Sequence, residues 1–158
     1  MENGKLVTVS LEMPSRLEML EKADEMVGQL AEAVGFDEDS RLAIQTAVRE
    51  SLINAIVHGN AGQAARRVTL EIDVECDGLQ MRVRDEGRGF DPTCLPDPFA
   101  LENLCRPSGR GILLMKALMD SVAFRRRPRG GMEVTMRKRL ERAVESGSAR
   151  TPAEAVCC

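Results

Sequence analysis

Residues 50–60 read ESLINAIVHGN, and the folding of this stretch decides the architecture around it. It continues Leu42, Ala43, Ile44, Ala47 and Val48. At about 100° per residue these positions, with Leu52, Ile53, Ala55, Ile56 and Val57, cover nearly the whole circumference of a helix. The spacing predicts a largely buried helix, capped by Asp39 or Ser40 and running to about His58, with the Gly59-Asn60-Ala61-Gly62 cluster ending it. Glu50 and Asn54 lie four residues apart, on one stripe of that helix, flanked by Ala43, Ala47 and Val57. Burying a carboxylate without a partner is costly, so the pair either caps a neighbouring backbone or faces a cavity that holds a cation and an anionic ligand. His58, one turn further on, reads as a satisfied end-of-helix residue before it reads as a catalyst.

Outward from this helix the chain alternates between strand and helix patterns. Lys5 to Glu12 places Leu6, Thr8 and Ser10 on one side and Val7, Val9 and Leu11 on the other, a first strand closed by Pro14. Ser15, with Glu18 three residues later, reads as the cap of an amphipathic helix through Leu17, Leu20, Met26, Val27, Leu30 and Val34 to Gly35. Val68, Leu70, Ile72 and Val74 alternate with polar neighbours, Asp77-Gly78 turns the chain, and Leu79, Met81 and Val83 alternate again up to Asp85. The stretch 86–108 has little periodicity and reads as a long loop of the kind that is uncommon unless functional. A third helix over 109–119 and a closing hairpin, 122–126 with 132–138, follow. The order β-α-α-β-β-loop-α-β-β describes an α+β two-layer sandwich in residues 5–140, with a disordered tail over 141–158.

Two further motifs carry chemistry. Asp85-Glu86-Gly87-Arg88-Gly89-Phe90 follows a strand directly, so its carboxylate can accept a hydrogen bond from an exocyclic amine beside glycines that allow close backbone approach. Taken alone, D-x-G-x-G is also a common tight turn. Ser108-Gly109-Arg110-Gly111 opens the helix Ile112-Leu113-Leu114-Met115, and free N–H groups at such a start form an anion site suited to phosphate. The chain contains neither GxxxxGK[ST] nor GxGxxG, which removes the ordinary P-loop and Rossmann readings.

Composition narrows the function classes. With 158 residues the chain has the length of one domain that buries roughly two-thirds of its unfolded surface without staples. Hydrophobic residues at 43% and charged residues at 30% exclude disorder along the whole length. Four Phe, no Trp and no Tyr leave aliphatics and nine Met to fill the core, and they argue against recognition by base stacking. A net charge of −3 argues the same way against nucleic acid. The five cysteines show no CxxC or Cys/His ligand spacing, and no 18 consecutive apolar residues or cationic leader occur. The reading is a reduced, cytoplasmic protein with no membrane span. The span 12–39 holds nine acids and two bases, and 124–142 holds eight bases and two acids. This asymmetry reads first as solvated surface and second as a patch for a protein partner.

The order and separation of E-x-x-x-N, D-x-G-x-G and G-x-G resemble the N, G1 and G2 boxes of the GHKL superfamily, over about residues 6–140. Within it, ESLINAIVHGN, DEGRGFDP with ENL further on, and SGRGILLMKALMDSV look most like the stand-alone anti-sigma factor serine kinases of the RsbW and SpoIIAB type. The resemblance implies a Bergerat ATP-binding fold, with helices on one face of a mixed β-sheet and a lid at about 91–108. It also implies roles for individual residues. Asp85 would bind the adenine amino group, Gly87 and Gly89 would admit the base, and Gly109, Arg110 and Gly111 would lie at the phosphates. Asn54 would coordinate Mg²⁺, and Glu50 would be the catalytic base; His58 joins the expected nucleotide contacts. The implied activity is that of an ATP-dependent protein serine kinase acting as an anti-sigma factor on a sigma factor and a STAS-type antagonist, with a homodimer left open. The alternatives are a nucleotide-gated binding module without phosphotransfer and a stand-alone histidine-kinase-like ATPase domain. Two departures stand out: Met132 follows Gly131 where the family often has threonine, and no lysine marks the lid, leaving Arg106 and Arg110 as cations for the γ-phosphate.

Overall fold

The computed structural model describes residues 4–89 and 110–141. The elements are β1 (Lys5–Pro14), α1 (Leu20–Val34) entered through a single 3₁₀ turn, α2 (Glu38–Ile53), β2 (Arg67–Glu75), β3 (Gly78–Arg84), α3 (Arg110–Leu118), β4 (Ser121–Arg126) and β5 (Met132–Arg139). The strands form one sheet in the order β1-β2-β3-β5-β4. All four pairings are antiparallel, so the α+β layering stands, while the mixed sheet expected from the sequence is corrected to an antiparallel one. The reason is the closing hairpin. It inserts β5 beside β3 and pushes β4 to the edge, so no two neighbouring strands run the same way.

Register explains the core. Leu11 and Val83 flank Leu70 on its two sides, Val9 and Met81 flank Ile72, and Met136 and Val134 lie opposite Met81 and Val83. The apolar half of every alternating strand therefore faces the helices, where Leu20, Ala23, Val27 and Ala31 of α1 and Ile44, Ala47, Val48 and Leu52 of α2 are buried against it. Fully burying a Val or Leu side chain is worth about 1.5–3 kcal/mol, and this shared core holds the two layers together. Gly35 in the left-handed region ends α1, as the sequence reading expected.

Helix α2 lies between α1 and α3. It is less enclosed than its composition suggests. Leu42 is 62% exposed and Val57 is exposed as well, because the side of the helix away from the sheet is uncovered by the described residues. Its cap is Asp37, whose Oδ1 accepts the Ser40 N–H at 2.7 Å, rather than Asp39 or Ser40. Ser15 does not cap α1; its hydroxyl donates to the Arg66 carbonyl instead. After Ile53 the helix widens into one π-helical turn, Asn54–Gly59, sealed where the Asn60 N–H reaches the Ala55 carbonyl. Such insertions gather at functional sites.

The polar half of the strands builds a charge ladder on the other face. Lys5 meets Asp73 at 2.7 Å, Arg82 donates to both Glu71 and Asp73, and Arg84 joins Glu71 to Glu133 at 3.2 and 2.5 Å. Arg125 pairs with Glu133, and Arg137 with Glu75 and Asp77. Part of the basic run at 124–142 is thus balanced within the sheet. Burial pushes Glu71, Asp73 and Glu133 up, but these partners outweigh it and hold all three below the ordinary carboxylate range. The expected lid at 91–108, Arg106, Gly109 and the tail beyond 141 lie outside the described residues.

Candidate functional site

The site is built along α2 and its π-helical extension. Glu50 and Asn54 come from the helix, half-buried, and both turn towards the start of α3. A β-carbon at Gly111 would sit 2.7 Å from Glu50 Oε2, 3.6 Å from Asn54 Nδ2 and 3.8 Å from Asn54 Oδ1. Glycine is therefore the residue that fits, and the lack of a side chain leaves the first turn of α3 facing a carboxylate and a carboxamide. Neither the Glu50 nor the Asn54 side chain has a hydrogen-bond or ion-pair partner among the described residues, so the structural-cap alternative finds no side-chain bond to support it. Gly111 and Arg110 form the first turn of α3, the end with free N–H groups and the positive pole of the helix dipole.

Asp85 closes the other end. It follows β3, is 5% exposed, and is held by its own loop and by β5: the Gly87 N–H donates to Oδ1 at 2.9 Å and the Met132 N–H donates to the same oxygen at 3.3 Å. Oδ2 accepts nothing among the described residues and lies against Gly59, the last residue of the π-helical turn, where a β-carbon would fall 2.6 Å away. Gly87 is packed so closely on the Gly59 carbonyl that a side chain there would overlap it. Burial pushes the Asp85 carboxyl above its ordinary value, with the backbone donors of Gly87 and Met132 and the charges of Arg127 and Arg66 only partly opposing it. A buried carboxylate with one oxygen fixed and one open suits a ligand that presents an N–H donor.

Glu50 and Gly59 are nine residues apart, roughly 13 Å along a helix at 1.5 Å per residue, the scale of a nucleoside triphosphate lying along it. The structure thus brings Glu50, Asn54 and Gly111 together at one end and Asp85, Gly87 and Gly59 at the other. Gly89 lies near the second group, against the β4–β5 hairpin. His58 is exposed on the π-helical turn, and its side chain makes no polar contact among the described residues. The sequence reading missed Gly59 as the residue packed against Asp85 and Gly87, because it reads equally well as a helix breaker. Met132, singled out as a departure, contributes its backbone N–H to Asp85, which any residue type supplies.

A helical layer on an antiparallel sheet thus carries a helix start that faces a carboxylate–carboxamide pair, with a buried, half-open carboxylate beyond it. The family model described as a histidine kinase-like ATPase domain matches residues 13–138, and the chain belongs to that family. It is 32% identical over 108 residues to the anti-sigma F factor of Oceanobacillus iheyensis, covering 66% of this chain and 73% of that one. It is 26% identical over 120 residues to the serine-protein kinase RsbW of Listeria innocua, covering 72% and 76% respectively. A crystal structure of the RsbU and RsbW domains of Rv1364c from Mycobacterium tuberculosis shares the fold, with a TM-score of 0.63 at 17% identity over 87% of this chain. This chain spans 33% of that longer one. None of the described helices is long and apolar enough to cross a membrane.

Proposed function

We propose that the chain is an ATP-dependent protein serine kinase that acts as an anti-sigma factor, binding a sigma factor and phosphorylating a STAS-type antagonist protein on serine. The observation that carries this reading is the meeting of Glu50 and Asn54 with Gly111 at the start of α3. That meeting puts a potential base and a hard oxygen donor where a terminal phosphate would lie. The names of the anti-sigma F factor and RsbW relatives supply the protein-level role.

ATP would lie along α2 with its adenine amino group donating to Asp85 Oδ2 and its phosphates at Arg110 and Gly111, the first turn of α3. Mg²⁺ suits the donor set. No group of three or more His, Cys, Asp or Glu among the described residues could hold a metal alone, whereas Asn54 Oδ1, phosphate oxygens and water together suit an ion that keeps much of its hydration. When bound, the ion neutralises phosphate charge. Glu50 accepts the serine hydroxyl proton as that oxygen bonds to the γ-phosphorus and ADP leaves with the electrons of the broken bond. His58, exposed on the π-helical turn with Asn54, is the remaining proposed nucleotide contact.

The test is transfer of radiolabelled γ-phosphate to a cognate antagonist. The expected result is acid-stable phosphoserine that disappears in Glu50→Ala while ATP still binds. If the wild-type chain binds ATP and transfers nothing, the protein is a nucleotide-gated binding module; an acid-labile product would mark a histidine-directed domain.

A further inference from the structure

Asn60 directly follows the π-helical turn and is fully buried, 0% exposed. Every polar atom of its carboxamide is used. Oδ1 accepts the backbone N–H of Glu86 at 2.8 Å, and Nδ2 donates to the Ser15 hydroxyl at 2.8 Å and to the Arg67 carbonyl at 2.9 Å. Ser15 in turn donates to the Arg66 carbonyl at 2.8 Å. The amide orientation follows from its partners, since a carbonyl needs a donor and an N–H needs an acceptor. One side chain therefore ties the end of β1, the start of β2 and the end of the π-helical turn to the peptide that follows Asp85.

That last bond has a consequence for ligand recognition. The Asp85–Glu86 peptide plane sets where the Asp85 side chain leaves the backbone, and it is gripped from two sides: Asn60 takes its N–H, and Arg127 donates to its carbonyl at 2.7 Å. With the plane fixed, Gly87 and Met132 occupy Oδ1 and leave Oδ2 open. We infer that Asn60 is a positioning residue for base selection: it aims the open oxygen of Asp85 at an exocyclic amine and so makes the pocket prefer a 6-aminopurine. This inference rests on the proposed nucleotide site. Asn60 itself touches no ligand.

The experiment compares binding of ATP with binding of purine riboside 5′-triphosphate, which lacks only the exocyclic amine, by calorimetry on the full chain. Wild type is expected to prefer ATP about tenfold or more, the worth of one hydrogen bond to a charged acceptor in a dry site. Asn60→Ala should lose most of that preference through weaker ATP binding, with the affinity for the analogue, held by its phosphates, nearly unchanged. Asn60→Asp keeps the acceptor for Glu86 and removes both donors. It should melt at a lower temperature, as Asn60→Ala does, yet retain the preference for ATP, which separates aiming from mere structural support. If Asn60→Ala does not fold, Asn60→Leu, which is close to asparagine in shape and offers no acceptor to Glu86, takes its place. A folded acceptor-less variant that keeps the wild-type preference overturns the inference. A wild-type chain without any preference instead overturns the reading of Asp85 as the adenine contact.

Discussion

Adding one methyl group at Gly111 separates stability from catalysis. Gly111 is helical, with no left-handed backbone to forbid a side chain, and alanine in a helix is favoured over glycine by up to about 1 kcal/mol. The new carbon would stand 2.7 Å from Glu50 Oε2, well inside the ~3.5 Å at which heavy atoms pack. What yields is the end of a flexible, half-buried side chain, so the fold is spared while the carboxylate moves by something near an ångström. A misplacement of that size costs about 100-fold in rate, or about 2.7 kcal/mol of barrier. Gly111→Ala is therefore expected to melt at or slightly above the wild-type temperature and to transfer phosphate about 100-fold more slowly. Thermal denaturation and single-turnover transfer on the same preparation check it. Wild-type turnover in a folded Gly111→Ala protein would refute the placement of Glu50 at the phosphate end.

Other perturbations probe the remaining parts. Asp85→Asn should weaken ATP binding about tenfold to 100-fold by calorimetry, since the open acceptor becomes half of an amide. Because burial raises the Asp85 pKa, wild-type ATP affinity should decline on acidification at a higher pH than an ordinary aspartate would impose, and Asp85→Asn should lack that component. The same shift means that the folded state holds this proton to higher pH than the unfolded chain, so Asp85's own contribution to stability falls as pH rises through that range. Asn54→Ala should remove the Mg²⁺ dependence of ATP affinity, measured by titration with and without the ion. Arg82→Met leaves Glu71 with Arg84 and the buried Asp73 with Lys5 and Thr8, and should cost about 1–3 kcal/mol in urea denaturation at neutral pH. Glu71 and Asp73 are held below their ordinary values, so wild-type stability from them is present above those values and is lost as pH falls; the variant's cost should shrink on acidification.

Much of this was legible because strands and helices announce themselves by period. Val68 to Val74 and Leu79 to Val83 alternate strictly, and the observed hairpin follows that alternation residue by residue. Other features were hidden for physical reasons. Strand neighbours beyond a hairpin depend on how the chain crosses the sheet, so the place of β5 between β3 and β4 has no local signature. The cap of α2 moved from Asp39 or Ser40 to Asp37 because a run of four residues, Asp37 to Ser40, holds three of the types that favour a cap, and the backbone turn chooses among them. Ser15 looked like a cap with Glu18 behind it, yet its hydroxyl serves Asn60 and Arg66, residues 45 and 51 positions away. Asn60 was hidden for the same reason. In sequence it belongs to a glycine-rich helix ending, and only the fold shows that its amide reaches the loop after β3. At the candidate site, motif spacing pointed to Glu50, Asn54, Asp85 and Gly111, while the π-helical turn that offsets Asn54 from Gly59 left no trace in an ordinary helical pattern.

The most direct test of the account is a crystal structure with Mg²⁺ and a non-hydrolysable ATP analogue. It should place the adenine amino group within hydrogen-bond distance of the Asp85 carboxylate and the terminal phosphates between Asn54 and the start of α3. A nucleotide bound elsewhere, or bound here with its base turned away from Asp85, would contradict it.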